Sequence, residues 1–98
     1  MAMTLLKIYI TGKTPRIERA IAGLRGVLDE NLGGEYEMHV YDVLEDPELA
    51  EKEKILATPT LVKELPLPAK RVIGDLSDPQ KVLFGLDLGD KVPEGGRE

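Results

Sequence analysis

The sequence predicts a mixed α/β domain in which a βαβ unit is followed by a short helix, a β-hairpin and a final segment. Before residue 44 the sequence has an alternating apolar run, then an apolar pattern of 3.6-residue spacing, and then a second apolar run. This succession is typical of a right-handed βαβ unit. From residue 55 to 74, prolines flank two short β-branched runs, which indicates a hairpin entered through a proline corner.

The N-terminal elements follow from periodicity and capping. Residues 5–10 alternate and predict a strand with Leu6, Ile8 and Ile10 on one face. Thr14 is placed as an N-cap with Pro15 at the first helical position, where its missing N–H costs nothing. The helix is amphipathic through residues that recur at helical spacing, namely Ile17, Ala20, Ile21, Leu24 and Leu28.

Glycines mark both the interior and the end of this helix. Gly23 and Gly26 each weaken it by about 1 kcal/mol relative to alanine, which predicts close packing against a neighbour. Gly33-Gly34 predicts its end. The following residues 36–43 are apolar on both faces, so we expect a parallel strand covered on both sides.

The C-terminal half is marked by prolines. Asp46-Pro47 and Asp78-Pro79 each predict a helix start, and the residues between form the hairpin, with strands at 60–62 and 71–73. Residues 82–88 are ambiguous: a helix groups Val82, Leu83 and Leu86, whereas a strand aligns Val82 and Leu86 with Phe84 and Leu88. Gly85 weakens either element, so both remain open.

Composition narrows the function classes. The 98 residues fit one domain, which we place at 1–88, followed by a polar, turn-rich and flexible tail at 89–98. A net charge of −5 without basic residues interleaved with aromatic ones disfavours nucleic-acid binding. No apolar run is long enough for a membrane span, and no signal-type segment is evident, so we expect a cytoplasmic protein.

The chemistry that the sequence excludes is equally informative. There is no cysteine, which removes disulfides, thiolate metal sites and thiol redox catalysis. The single histidine, His39, lies mid-strand without a partner nucleophile, so a structural role is favoured. Asp75 and Asp78 resemble a carboxylate pair, but helix capping by Ser77 or Asp78 explains the same residues. No phosphate-binding loop is encoded, and we expect no cofactor and no metal.

Basic residues gather around the hairpin at Lys54, Lys63, Lys70 and Arg71. Two interpretations stay open with equal weight. The first is an ordinary solvated surface, and the second is a docking patch that steers an otherwise acidic molecule to an acidic partner surface.

Two resemblances emerge from these motifs. The order of elements and the segment Ala57-Thr58-Pro59-Thr60-Leu61 resemble the thioredoxin fold and its proline corner, but Gly12-Lys13-Thr14-Pro15 occupies the place of the active dithiol. A more specific resemblance is to the KaiB family. It rests on six blocks that cover most of residues 5–88, namely YITGKTP (9–15), DVL with DP (42–47), KILATPTL (54–61), LPLP (65–68), VIGDLSD (72–78) and KVLFGLDL (81–88).

The KaiB resemblance implies a regulatory protein without catalysis. Such proteins bind the N-terminal ATPase ring of a KaiC-type protein, and in cyanobacteria they also engage KaiA and displace a competing sensor histidine kinase. They are metamorphic: a homotetramer at rest has the order βαββααβ, and the partner-bound monomer is thioredoxin-like, βαβαββα. For the isolated chain the resemblance implies the resting order. A KaiB-like stress-response adaptor, and a cysteine-free glutathione-type enzyme of thioredoxin fold, are the alternatives.

The resemblance also implies roles for particular residues. The partner-binding set, which we call the basic set, comprises Arg19, Lys54, Lys63, Lys70 and Arg71. The residues implied in fold switching comprise Pro59, Pro66, Pro68, Gly85 and Asp87.

Overall fold

The computed structural model describes residues 3–88, so the tail predicted at 89–98 lies outside the described residues. Within them, four strands form one sheet in the order β2-β1-β3-β4. The strands are β1 (Thr4–Ile10), β2 (Tyr36–Asp42), β3 (Thr60–Leu65) and β4 (Lys70–Ile73). β1 pairs with β2 in parallel and with β3 antiparallel, and β3 and β4 form the predicted hairpin.

The helices begin where the capping patterns predict. They are α1 (Pro15–Leu32), α2 (Pro47–Lys52) and α3 (Pro79–Gly85), each with proline in its first turn. The Thr14 side chain accepts a hydrogen bond from the Ile17 N–H at 3.1 Å, and the Asp78 carboxylate accepts one from the Lys81 N–H at 3.4 Å. α1 ends at Gly33, whose φ of +62° suits a residue without a Cβ. No helix within residues 3–88 is long and apolar enough to cross a membrane.

The core lies between one face of the sheet and the helices α1 and α3. Leu6, Ile8 and Ile10 of β1 are buried there, as their alternation predicted. Leu61 of β3 shares their face because it is paired with Ile8. α1 contributes Leu24 and Leu28, and α3 with its C-cap contributes Val82, Leu83 and Leu86. We call this side of the sheet the inner face.

β2 differs from its prediction. The strand was expected to be covered on both faces, but it lies at the edge of the sheet, and Met38 is its only residue in the buried class. Glu37 and His39 are exposed on the other side. The apolar residues on both faces of β2 therefore do not indicate a second covering layer. Tyr36, Val40 and Tyr41 are partly buried instead.

The ambiguous segment 82–88 is helical up to Gly85. Val82, Leu83 and Leu86 are buried, whereas Phe84, which the strand alternative would align with Leu86, is exposed. α3 closes with a Schellman motif in which the Leu88 N–H donates to the Leu83 carbonyl at 2.8 Å and Asp87 adopts a left-handed φ of +62°.

The thioredoxin-like order βαβαββα is confirmed. The expectation that the isolated chain takes the resting order βαββααβ is wrong for this structure. The physical reason lies in the segment 82–88. In its helical form it buries three apolar side chains against α1 and β4, and this burial favours the thioredoxin-like order.

The two glycines of α1 behave differently. A Cβ at Gly23 would lie 3.4 Å from the Pro79 ring, so this glycine marks the close approach of α1 and α3 that the sequence predicted. A Cβ at Gly26 would meet no atom within 4 Å, so close packing does not explain the second glycine.

Leu83 and Phe84 test the orientation of α3. Leu83 is 0% exposed and Phe84 is 56% exposed, so we expect Leu83→Ala to lower the free energy of unfolding by about 2–5 kcal/mol. Phe84→Ala is the matched control, with a loss below about 1 kcal/mol because its ring remains largely in water. Urea unfolding followed by circular dichroism measures both. A larger loss in the Phe84 variant would contradict the helical orientation.

Candidate functional site

The face of the sheet opposite α1 and α3 carries the main candidate surface. We call it the outer face and define it by Lys7, Tyr9, Tyr41, Val62 and Arg71, whose neighbours in each strand point to the core. Lys7 forms an ion pair with Glu64 at 3.2 Å. Burial disfavours the charged amine, but the hydrogen bond and charge of Glu64 outweigh this and raise the pKa of Lys7.

Tyr9 is the buried centre of the outer face. It is 1% exposed and stacks on Tyr41 with ring centroids 5.4 Å apart, because the parallel register places the two residues side by side. Burial raises the pKa of the Tyr9 phenol, and the carboxylate of Glu53 adds to the effect. The sequence analysis missed this pair, although pairing two parallel strands at equal positions would have brought the two tyrosines together.

Arg71 connects the outer face to the end of α2. Its guanidinium donates one hydrogen bond to the Glu53 carbonyl at 2.7 Å and another to the Lys54 carbonyl at 3.0 Å. Glu53 is the C-cap of α2, so these carbonyls lie at the negative end of the helix, where a cation is favourable. The structure therefore brings two members of the basic set, Lys54 and Arg71, together.

Lys54 itself is exposed and has a left-handed φ of +58°. Its side chain forms no ion pair with any residue of the described part of the chain. Leu56, two residues further along the same loop, is also exposed. The loop between α2 and β3 thus presents a free ammonium group beside an apolar side chain, a combination suited to contact with a partner.

The other members of the basic set do not join this surface. Lys70 forms an ion pair with Asp87 at 3.4 Å beyond the end of α3. Lys63 is only 2% exposed, and the register pairs it with Leu6, so it lies on the inner face. The expectation of an exposed docking lysine at position 63 is therefore wrong for this structure, since the alternation of β3 turns that side chain towards the core side.

Arg19 lies in a cleft at the proline corner. The cavity has a volume of about 650 Å³ and is bounded by the first turns of α1, by Pro59 and by the loop 74–77. Arg16, which the sequence analysis missed, lines the same cleft, and neither arginine forms an ion pair with a residue in 3–88. Opposite them, hydrogen bonds from Ser77 lower the pKa of the Asp75 carboxyl.

The residues implied in fold switching fall in three places. Pro59 borders the cleft, and the hydroxyl of the preceding Thr58 shares a hydrogen bond with that of Thr11. Pro66 and Pro68 lie between β3 and β4. The peptide bonds that precede all three prolines are cis. Gly85 is the last residue of α3, with its hypothetical Cβ 3.1 Å from Val72, and Asp87 holds the left-handed position. Their role in switching stays a prediction.

The remaining polar candidates have structural partners. Asp78 caps α3, and Asp75 accepts the Ser77 N–H at 2.9 Å, which confirms the capping interpretation over a catalytic carboxylate pair. The half-exposed His39 pairs with Glu37 on the same edge strand at 3.1 Å. No group of three or more metal-ligating side chains lies together within residues 3–88.

Comparison with known proteins places these features in context. The family model described as the KaiB domain matches residues 7–88. A relative from Synechococcus elongatus, named circadian clock oscillator protein KaiB, is 56% identical over 84 residues, which cover 86% of this chain and 82% of the relative.

Two solved structures share the fold at low sequence identity. The N-terminal domain of Synechococcus elongatus SasA superimposes with a TM-score of 0.68 at 19% identity, covering 96% of this chain and 83% of that one. Mitochondrial thioredoxin 3 from Saccharomyces cerevisiae gives a TM-score of 0.66 at 17% identity, covering 89% and 79% of the two chains. These likenesses confirm the thioredoxin-like fold class.

The buried phenol of Tyr9 predicts a pH dependence. Because its folded-state pKa is raised, its contribution to stability is present below the unfolded pKa of about 10 and is lost as pH rises through the folded pKa. Lys7 has a raised pKa and contributes with the same sign. Tyr9→Phe should therefore reduce, without abolishing, the fall in unfolding free energy between pH 9 and pH 11, values chosen to bracket about 10. Urea unfolding across this range measures the slope. An equally steep fall in the variant would contradict burial as its cause.

Proposed function

Because this chain belongs to the KaiB family, we propose that it is a non-catalytic regulatory protein that binds the N-terminal ATPase ring of a KaiC-type protein. By binding, it modulates the phosphorylation and ATPase cycle of that ring in a circadian or timer system. The observation that carries this proposal is the exposed ammonium group of Lys54, which has no ion-pair partner within residues 3–88 and lies beside Arg71 at the end of α2. The clock name of the Synechococcus elongatus relative supports the circadian context.

Electrostatics favours a partner with an acidic docking surface. The chain as a whole carries a net charge of −5, so most of its surface repels an acidic partner. Lys54 and Arg71 form a local exception, and complementary potentials of this kind steer orientation and raise association rates more than they raise affinity. Arg16 and Arg19 line the corner cleft on α1 and form a second basic site, separate from Lys54 and Arg71.

A role in binding also agrees with the chemistry of the chain. Nucleophilic catalysis needs an activated nucleophile next to a base, and the sequence supplies no cysteine. His39 pairs with Glu37 on the edge strand, away from the proline corner where thioredoxin-type chemistry would occur. The glutathione-type enzyme considered from the sequence has no supporting contact among the described residues.

We propose further partners besides the KaiC-type ring. The N-terminal domain of SasA shares the thioredoxin-like fold of this chain, so a competitor of the same fold is compatible with the proposal. KaiA, a competing sensor histidine kinase and a resting homo-oligomer belong to the proposal as the family implies them. Rearrangement between resting and bound forms would involve Pro59, Pro66 and Pro68, with Gly85 and Asp87 at the end of α3.

Charge reversal tests the docking surface. Lys54→Glu should weaken binding to an ATP-loaded KaiC-type ring by about tenfold or more, because a like charge then faces the acidic surface of the partner. Lys81→Glu, on an exposed lysine of α3, is the matched control and should bind as the unaltered chain does. Surface plasmon resonance with immobilised ring measures both affinities at several salt concentrations.

Each outcome has a distinct meaning. Equal affinities for the Lys54→Glu chain and the unaltered chain would remove Lys54 from the docking surface. Failure of the unaltered chain to bind the ring, with or without ATP, would refute the proposed function itself.

A further inference from the structure

We infer that Arg71 is a positioning residue for Lys54 and does not itself contact the partner. The inference rests on the proposed function, because it assigns separate roles to two residues of the same docking surface. A family-based interpretation treats both as cations facing the partner, whereas the structure commits the Arg71 guanidinium to two backbone carbonyls of its own chain.

The geometry of this contact is specific to arginine. One terminal nitrogen donates to the Glu53 carbonyl at 2.7 Å and the other to the adjacent Lys54 carbonyl at 3.0 Å, so the planar fork spans consecutive peptide units. Charge-assisted bonds of this kind are stronger than neutral ones, and the fork fixes orientation as well as distance. A lysine at position 71 would keep the charge but could not reproduce two fixed, parallel donors.

The segment that Arg71 holds has few other attachments. None of the side chains in the described helix α2 is buried, so apolar packing anchors it weakly. Lys54 has a φ of +58°, a left-handed conformation that is unfavourable for a residue with a Cβ. Such a backbone persists only where its surroundings impose it. The Schellman motif that ends α2 imposes it locally, and the bond from Arg71 to the Lys54 carbonyl restrains the same turn from β4, 17 residues away in the sequence.

This arrangement fixes the backbone from which the Lys54 side chain extends. The left-handed residue ends the turn after α2, in which the Lys54 N–H donates to Glu51 and the Ile55 N–H donates to Ala50. Release of the two carbonyls would let this turn relax and the Lys54 side chain move. Arg71 thus contributes to partner binding through the position of Lys54.

A double-mutant cycle tests this assignment in binding. Affinities for the ATP-loaded ring are measured for the unaltered chain, Arg71→Lys, Lys54→Ala and the double variant. Positioning predicts that Arg71→Lys weakens binding although its charge is kept, and that the double variant binds within about twofold of Lys54→Ala alone. Arg25→Lys is the matched control, since Arg25 lies on α1 with one long contact of 3.5 Å to the Met38 carbonyl, and should bind normally.

Hydrogen exchange tests the same contact without any partner. In the isolated chain, Arg71→Lys should speed exchange of the Lys54 and Ile55 amides about tenfold, because the hydrogen bonds that hold their turn are lost. The Ile8 amide in the central strand should exchange at an unchanged rate, which shows that the fold is intact. Lys54→Gly, which tolerates the positive φ, should lessen the effect of Arg71→Lys on Ile55.

The outcomes separate this inference from the proposed function. Unchanged exchange of the two amides in Arg71→Lys, or independent and additive losses in the binding cycle, would overturn the positioning role. Full affinity of Arg71→Lys would overturn it as well. A chain that shows the predicted exchange but does not bind the ring would refute the proposed function, and with it the role of the contact in binding.

Discussion

Burial of the inner face of β1 is the constraint from which the rest of the structure follows. Leu6, Ile8 and Ile10 are within 1% of complete burial at the centre of the sheet, and α1 and α3 supply most of the apolar side chains that cover them, with Leu76 and Leu88 added from neighbouring segments. Both α1 and α3 therefore pack on the inner face of the sheet. The element beside the outer face is α2, a six-residue helix without a buried side chain. The outer face is therefore covered by polar contacts and by the Tyr9–Tyr41 stack.

This asymmetry explains why the candidate docking residues lie where they do. A side chain packed in the core has its direction fixed by its neighbours, but a cation on a weakly packed loop needs another restraint to have a defined position. Arg71 supplies that restraint from the edge strand β4 to the loop after α2. The same asymmetry separates the basic set, because alternation turns Lys63 to the inner face and Arg71 to the outer face.

Local signals predicted much of the fold and little of the site. The Thr14 cap, the alternation of β1 and the glycine end of α1 are set by residues close in sequence, so all three were predicted. Residues 82–88 satisfied two periodicities at once, and only contacts with α1 and β4 select the helix. The Arg71 bonds join residues 17 and 18 positions apart, and the burial of Lys63 depends on a register that shifts between Leu5 and Leu6. Neither the Arg71 contact nor the pairing of Lys63 with Leu6 is encoded in a local pattern.

The choice of carbonyls as acceptors for Arg71 has an electrostatic consequence. A carboxylate partner would hold the guanidinium equally well, but it would cancel its charge, as Asp87 does in part for Lys70. Peptide carbonyls are dipoles without net charge, so the contact fixes the loop while the positive charges of Arg71 and Lys54 both persist. On a chain of net charge −5, this contact keeps two cationic side chains near each other in a defined backbone geometry. Under the proposed function, the positioning of Lys54 and the steering of the partner would both depend on this contact.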